Sequence, residues 1–455
     1  MFDRLWDYPI LSPDASLHAL PTGGMIFLGD SDEAADTRYV NPLMFRLLEN
    51  CDGSHCVGEI ANNASGDFGV EAVPQMVWAT EEALRMQLIT VASSAQAPIS
   101  CRTTGSKDWF FPVHVSIELT DRCNLFCRHC YRSCSPALTN EIPTERLLQI
   151  LETLVDSGVR GVELTGGEPL LHAGIEDIID FCTREFGLVA LITNGTLLGD
   201  ELVERLAAVS HKVVSSVSLH GPTAEVHDQV TRVPGSFELA LAGMRRLAEA
   251  GILVRANMCL LPENLAHLES TLCLAQEVGA TRFAYAPAMP VGRGKDLAKG
   301  LDQSTVAESV ARLLAEQSGL AERHRDFISL VSDDEVDEIE SGGCGAGTRA
   351  VTLGPTGTLR PCLMAPESAL ALGNLLEQSF EEVFTENALV AALAETKVPS
   401  AGSCAGCGSE SYCRLCVIRG LEKFTTEMGS RCAWAEGQAL VRLVAGDSLP
   451  LTAAS

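Results

Sequence analysis

The chain has no apolar run of the roughly 18 residues that a membrane span needs, so no membrane partner is expected. Its first ten residues, MFDRLWDYPI, lack a basic patch followed by an apolar stretch. No secretory signal is read there, and a cytoplasmic, reducing location follows. Basic residues are few: 33 Lys and Arg stand against 60 Asp and Glu, for a formal charge of -27. Phosphate recognition needs a basic face, so nucleic acid is not an expected partner. The acidity serves solubility, or draws in a basic peptide.

What the chain does have is cysteine, 17 in 455 residues. In a reducing compartment, gathered thiols serve metal or redox chemistry more than disulfides. Cys51, Cys56, Cys101, Cys182, Cys259 and Cys273 are scattered and read as small buried hydrophobes. The other eleven fall into two groups, Cys123 to Cys134 and Cys344 to Cys432.

The length suggests about three domains, and 46% hydrophobic residues supply apolar material for several cores. Residues 1–95 read as a small α+β unit. In it, GGMIFLG is a strand and NPLMFRLLENCDG a helix stopped at Asp52-Gly53. VEAVPQMVWATEEALRMQLI carries a helical apolar pattern. Residues 96–110, rich in Ser, Thr and Gly, read as a linker.

From residue 111 short β-branched runs alternate with helical stretches, which means βα units and a parallel sheet. Six such units within residues 111–335 suit an incomplete barrel better than a closed one of eight. ESVARLLAEQSGLAERHRD is a further helical pattern, and SDDEVDEIESGGCGAG marks a border. Residues 336–445 are short Gly- and Pro-punctuated segments rich in cysteine, which rely on metal to fold.

The segment TDRCNLFCRHCYRSC follows the first barrel strand, at the edge of the sheet where such folds place their chemistry. Cys123, Cys127 and Cys130 are spaced C-x3-C-x2-C. Zinc sites pair cysteines as C-x2-C knuckles with two further ligands, and four-iron clusters commonly take four thiolates. Three thiolates leave one iron with an open position, where a small molecule can bind. Cys134 is read as a bystander. In the second group, Cys404-x2-Cys407 and Cys413-x2-Cys416 suit either a zinc ribbon or iron–sulfur ligation.

CNLFCRHCY after a strand, followed by LTGGEPLL, resembles the radical S-adenosylmethionine (radical SAM) superfamily. The resemblance implies that Cys123, Cys127 and Cys130 hold a [4Fe-4S] cluster whose open iron binds S-adenosylmethionine. It places His129 near the adenine. It assigns Gly166, Gly167, Glu168 and Pro169 to the methionine amino group. Glycines let backbone approach a ligand closely, and carbonyls with a carboxylate accept from an ammonium. Ser218 matches a polar contact to the cofactor, and Arg232 a basic residue that binds its carboxylate or ribose. Thr193 and Asn194, in TNGT, lie on the same rim. His220 is assigned no role. Tyr285 and Arg293, at the exit of the sixth strand, are candidates to face substrate.

The C-terminal cysteines resemble the SPASM domain, with C-x2 where the family has C-x3 at the last step. By that pattern Cys404, Cys407, Cys413 and Cys432 hold one auxiliary iron–sulfur cluster. Cys344, Cys362 and Cys416 hold a second that lacks its fourth ligand. Residues 5 to 92 resemble the RiPP recognition element, the winged-helix-like fold of the pyrroloquinoline quinone peptide chaperone. Such domains add a precursor's leader as an extra strand at a sheet edge.

Together these resemblances imply a radical SAM enzyme that cleaves S-adenosylmethionine reductively and abstracts hydrogen from a ribosomally made precursor peptide, forming a carbon–carbon or thioether cross-link. They imply an electron donor such as flavodoxin or ferredoxin. The same chemistry on a tetrapyrrole, or formylglycine formation on a folded protein, is the alternative. A non-catalytic metal-binding peptide carrier is a lesser one.

Overall fold

The computed structural model describes residues 3–29, 37–69, 72–289, 291–298, 327 and 343–446. The helical pattern read at residues 308–326 and most of the acidic border before Gly343 lie outside the described residues. The chain divides into two compact units. Among the described residues, no helix is long and apolar enough to cross a membrane.

The first unit is the first 113 residues with Leu154–Arg160 and Phe384–Glu386. Strand β1 (Tyr8–Leu11) pairs antiparallel with β5 (Ile89–Ala92). A second sheet runs β4 (Thr37–Val40), β3 (Gly23–Leu28), β2 (Ala15–Leu20), β6 (Thr103–Gly105). Strand β6 falls inside the stretch read as a linker and pairs in parallel with β2. The α-helices Pro42–Leu48, Val57–Phe68 and Ala72–Arg85 pack in the same unit. The first starts where its sequence dictates: Asn41 Oδ1 accepts the Met44 N–H at 2.8 Å, and Pro42 needs no donor at that position. Its Phe45 packs onto β3 because residue 24 is glycine; a Cβ there would lie 2.1 Å from the ring. Leu17, Ile26, Leu47, Leu48, Val57, Met76 and Leu88 form the core. His18 is wholly buried, with Nδ1 2.9 Å from Thr104 Oγ1 and Nε2 2.9 Å from the Phe111 carbonyl.

Among the described residues, the second unit holds a nine-stranded sheet. Its strands are β7 (His114–Glu118), β8 (Gly161–Thr165), β9 (Leu188–Thr193), β10 (Val213–Ser218), β11 (Leu253–Leu260), β12 (Arg282–Pro287), β13 (Ala350–Leu353), β14 (Thr358–Arg360) and β15 (Gly373–Asn374). β7 to β12 lie in sequence order and all parallel, the open barrel that the alternating pattern predicts. Val115, Val162, Leu164, Val217, Val254 and Phe283 are at most 1% exposed, as strands covered on both faces require. Helices such as Ile175–Glu185 and Asp200–Ala207 bury one stripe and pair charges outside, as in Arg205 with Asp180 at 2.5 Å. β13 adds to the other side of β7 in parallel, and β14 and β15 follow antiparallel. The C-terminal segment therefore continues the barrel sheet. Trp434, 2% exposed, anchors it through Nε1 to the Lys397 carbonyl at 2.7 Å.

Candidate active site

Beyond β7 the chain leaves the sheet and folds the cysteine segment into a tight loop. Backbone bonds hold it on both flanks: Asp121 N–H donates to Asn140 O at 2.9 Å, and Phe126 and Arg128 N–H donate to Thr231 and Val230 O at 3.0 Å each. Cys123 and Cys134 are buried with Leu125, and Cys127, Cys130 and Val233 pack against them. Two sulfurs accept backbone donors, Cys123 from Leu125 N–H and Cys130 from Cys134 N–H, each at 3.4 Å.

Burial pushes the Cys123 thiol up to about 11, and Cys127 higher still. After burial, Cys123 and Cys130 are the next causes at Cys127. Cys130 goes the other way, down to about 6, chiefly because the Cys134 side chain hydrogen-bonds it. Cys123 and Cys130 both oppose ionisation of Cys127, which a cluster of cations bound to these thiolates would relieve. The residues thus fit the group that the spacing calls for. Cys134, 1% exposed, hydrogen-bonds Cys130.

The glycines of the next loop explain how the two motifs meet. Gly166 has φ +129°, where side chains are strained. A Cβ on Gly167 would lie 2.1 Å from Arg122 O. With no side chains there, Gly167 N–H reaches Thr120 O at 2.7 Å and Glu168 N–H reaches Arg122 O at 2.8 Å. The second motif therefore lies directly on the root of the cysteine loop. Glu168 is wholly buried and accepts from Thr193 Oγ1 at 2.7 Å, Asn194 N–H at 2.8 Å and Leu170 N–H at 3.2 Å. Burial still pushes its carboxyl up to about 7. Pro169 opens the short 3-10 turn that Glu168 caps. Asn194 Nδ2 donates to Asn124 Oδ1 at 2.8 Å, which ties the third-strand rim to the cysteine loop.

The fourth-strand rim is less closely joined. Ser218 ends β10, half-buried. Arg232 is exposed and left-handed (φ +59°) at the end of helix Ala224–Thr231. Its guanidinium lies 6.0 Å from the ring centre of Phe126, the residue before Cys127. Asp228 holds this turn through Gly235 N–H, Phe237 N–H and the Ser236 hydroxyl. His129 packs edge-on to His220, ring centres 4.7 Å apart, and His220 stacks on His227 at 5.5 Å. Burial keeps all three imidazoles neutral, with His129 and His227 lowered to about 4.

Arg293 sits elsewhere than its strand-exit position suggests. It turns to the cysteine loop, donating to Cys127 O at 2.8 Å and Cys134 O at 2.7 Å, and covers Phe126 at 4.1 Å. Tyr285 is half-buried in β12. Spacing singles out neither Arg293 nor Asn124 as a support of the loop. Their partners are backbone carbonyls and a side-chain amide that sequence does not display.

The C-terminal cysteines form two neighbourhoods. Burial, then Cys404, Cys432 and Cys407, push Cys413 up to about 12. Burial, then Cys416 and Cys344 among the nearby charges, push Cys362 up to about 11. Arg419 donates to Met289 Sδ at 3.2 Å and to Tyr412 O at 3.4 Å.

Residues 117–275 match the Radical SAM superfamily, and residues 344–408 match SPASM, an iron-sulfur cluster-binding domain. The chain is 27% identical over 447 residues to the antilisterial bacteriocin subtilosin biosynthesis protein AlbA of Bacillus subtilis, covering 96% of this chain and 98% of that protein. It is 30% identical to the AdoMet-dependent heme synthase of Methanosarcina barkeri, covering 68% of this chain and 92% of that protein. In fold it is similar to Streptococcus suis SuiB bound to precursor peptide SuiA, with TM-score 0.65 and 16% identity over 91% of this chain and 97% of that one.

Proposed function

The chain belongs to the radical SAM superfamily, and on that footing we propose that it is a peptide maturase that cross-links a ribosomally made precursor. Membership brings a [4Fe-4S] cluster with S-adenosylmethionine in the barrel, and auxiliary iron–sulfur clusters in the SPASM domain. When bound, these groups supply one-electron cleavage of the sulfonium and hydrogen abstraction.

Cys123, Cys127 and Cys130 are the assigned ligands of the barrel cluster. Gly166, Gly167, Glu168 and Pro169, with His129, Asn194, Ser218 and Arg232, take S-adenosylmethionine. A carboxylate offers about four acceptor sites. Protein donors occupy three on Glu168, which leaves one for an ammonium. The three neutral imidazoles dry that wall of the site. Cys404, Cys407, Cys413 and Cys432 hold one auxiliary cluster, and Cys344, Cys362 and Cys416 the other.

In the first unit, β4 pairs only with β3 among the described residues, so its outer edge can receive a leader segment as an added strand. This is the role of a RiPP recognition element. Flavodoxin or ferredoxin supplies electrons in a reducing cytoplasm.

The observation that carries the peptide reading is the extent of the AlbA match. At 96% of the chain it takes in most of the first unit, whereas the heme synthase match stops at 68%. A bacteriocin biosynthesis protein is thus similar throughout, and SuiB, of the same fold, holds a precursor peptide. The test is anaerobic incubation with each short peptide found encoded in the neighbouring reading frames. The expected product is lighter by one hydrogen molecule per bond formed. Cleavage of S-adenosylmethionine with every such peptide unchanged in mass refutes the peptide reading.

A further inference from the structure

Glu118 is the last residue of β7 and is wholly buried. Its carboxylate is shared among three donors. Tyr131 Oη donates to Oε1 at 2.7 Å. Arg132 Nη1 stands 2.9 Å from Oε2, and Arg360 Nη2 donates to that same oxygen. Tyr131 and Arg132 follow Cys130 directly, while Arg360 precedes Pro361 and Cys362. Arg360 Nη1 also donates to the carbonyls of Leu363 and Ala365, both at 3.1 Å. Ala365 N–H in turn donates to Cys362 O at 3.0 Å. Arg360 therefore closes the turn that presents Cys362. Arg132 also meets Asp121 at 2.7 Å and Glu367 at 2.9 Å.

Taking one carboxylate out of water costs several kcal/mol before pairing, and an apolar set of similar volume is often as stable. Stability alone does not account for charge at this position. A shared carboxylate does something an apolar cluster does not: it fixes two loops in one mutual register. We propose that Glu118 is a positioning residue that couples the two cluster-binding loops, so that the state of the Cys362 loop is felt at Cys130. If Arg360 moves with its turn, Glu118 is left to Arg132 and Tyr131 alone. Their shift is transmitted to Cys130, the residue before Tyr131.

The inference rests on the proposed function only in taking both loops as cluster-binding, and the iron content of the unmutated chain tests that separately. The experiment measures the midpoint potential of the S-adenosylmethionine-binding cluster in reconstituted full-length protein by EPR-monitored titration. It does so with and without Cys362→Ser, in the native and Glu118→Gln backgrounds, as a double-mutant cycle. In the native background Cys362→Ser is expected to change the one-electron equilibrium about tenfold, about 59 mV. In Glu118→Gln the same change falls below about twofold, about 18 mV. Equal shifts in both backgrounds, or no shift in the native one, overturn the proposal. A Glu118 that serves packing alone lowers the melting temperature and leaves the shift standing. If Glu118→Gln does not fold, Arg360→Lys replaces it. Lysine keeps the charge but does not span the carboxylate and both carbonyls, so the same loss of coupling is expected.

Discussion

The backbone N–H of Asn194 donates to Glu168 Oε2 at 2.8 Å. That bond joins the end of the third barrel strand to the loop after the second, and it helps hold a wholly buried carboxylate.

Because burial pushes Glu168 up to about 7, a proton competes with a cationic ligand for it. Below that value the protonated form prevails, so affinity for S-adenosylmethionine is expected to fall as pH drops from 8 to 6. Glu168→Gln should flatten the profile. It should also weaken binding roughly tenfold to a hundredfold, as expected for a charged hydrogen bond of about 1.5–3 kcal/mol. Equilibrium dialysis over that pH range measures both.

Gly167→Ala puts a methyl 2.1 Å from Arg122 O, where backbone would have to move. The expected cost is about 1–3 kcal/mol, together with loss of S-adenosylmethionine binding. Thermal melts and dialysis on the reconstituted protein report it. Gly199→Ala, where nothing lies within 4 Å, is the control.

Cys130→Ala should abolish cleavage of S-adenosylmethionine and remove the barrel cluster's iron. Cys134→Ala should keep both, since by the proposed assignment Cys134 only hydrogen-bonds Cys130 and holds no iron itself. Iron assay and product chromatography distinguish the two. Matching losses would show that Cys134 is a ligand.

Burial lowers His18 below its ordinary 6.5, so the folded first unit holds it neutral. The unfolded chain binds that proton more readily, so stability rises with pH. The contribution is complete above the unfolded value of 6.5 and is lost as pH falls from there toward the lowered folded value. Denaturant midpoints for the first unit's unfolding should decline below that pH. His18→Gln should lessen the decline.

Local signals were legible in sequence, and long-range partners were not. The C-x3-C-x2-C spacing and the GGEP run each declare themselves within a few residues, and the parallel barrel follows from the alternation of short strands and helices. Thr103–Gly105 reads as linker because three residues of Thr and Gly carry no strand pattern; pairing with β2 supplies it. Glu118 ends an apolar strand as an isolated acid, and Arg360 precedes a cysteine, but 242 residues separate them. Nothing local pairs them. Arg293 lies in the turn Gly292–Gly294 beyond the sixth strand, and its direction depends on carbonyls 159 and 166 residues away.

The most direct test of the central claim is anaerobic reconstitution followed by metal analysis and S-adenosylmethionine turnover on one sample. The account predicts about twelve irons per chain, with cleavage of S-adenosylmethionine to methionine and 5′-deoxyadenosine. Stoichiometric zinc with no cleavage would contradict it.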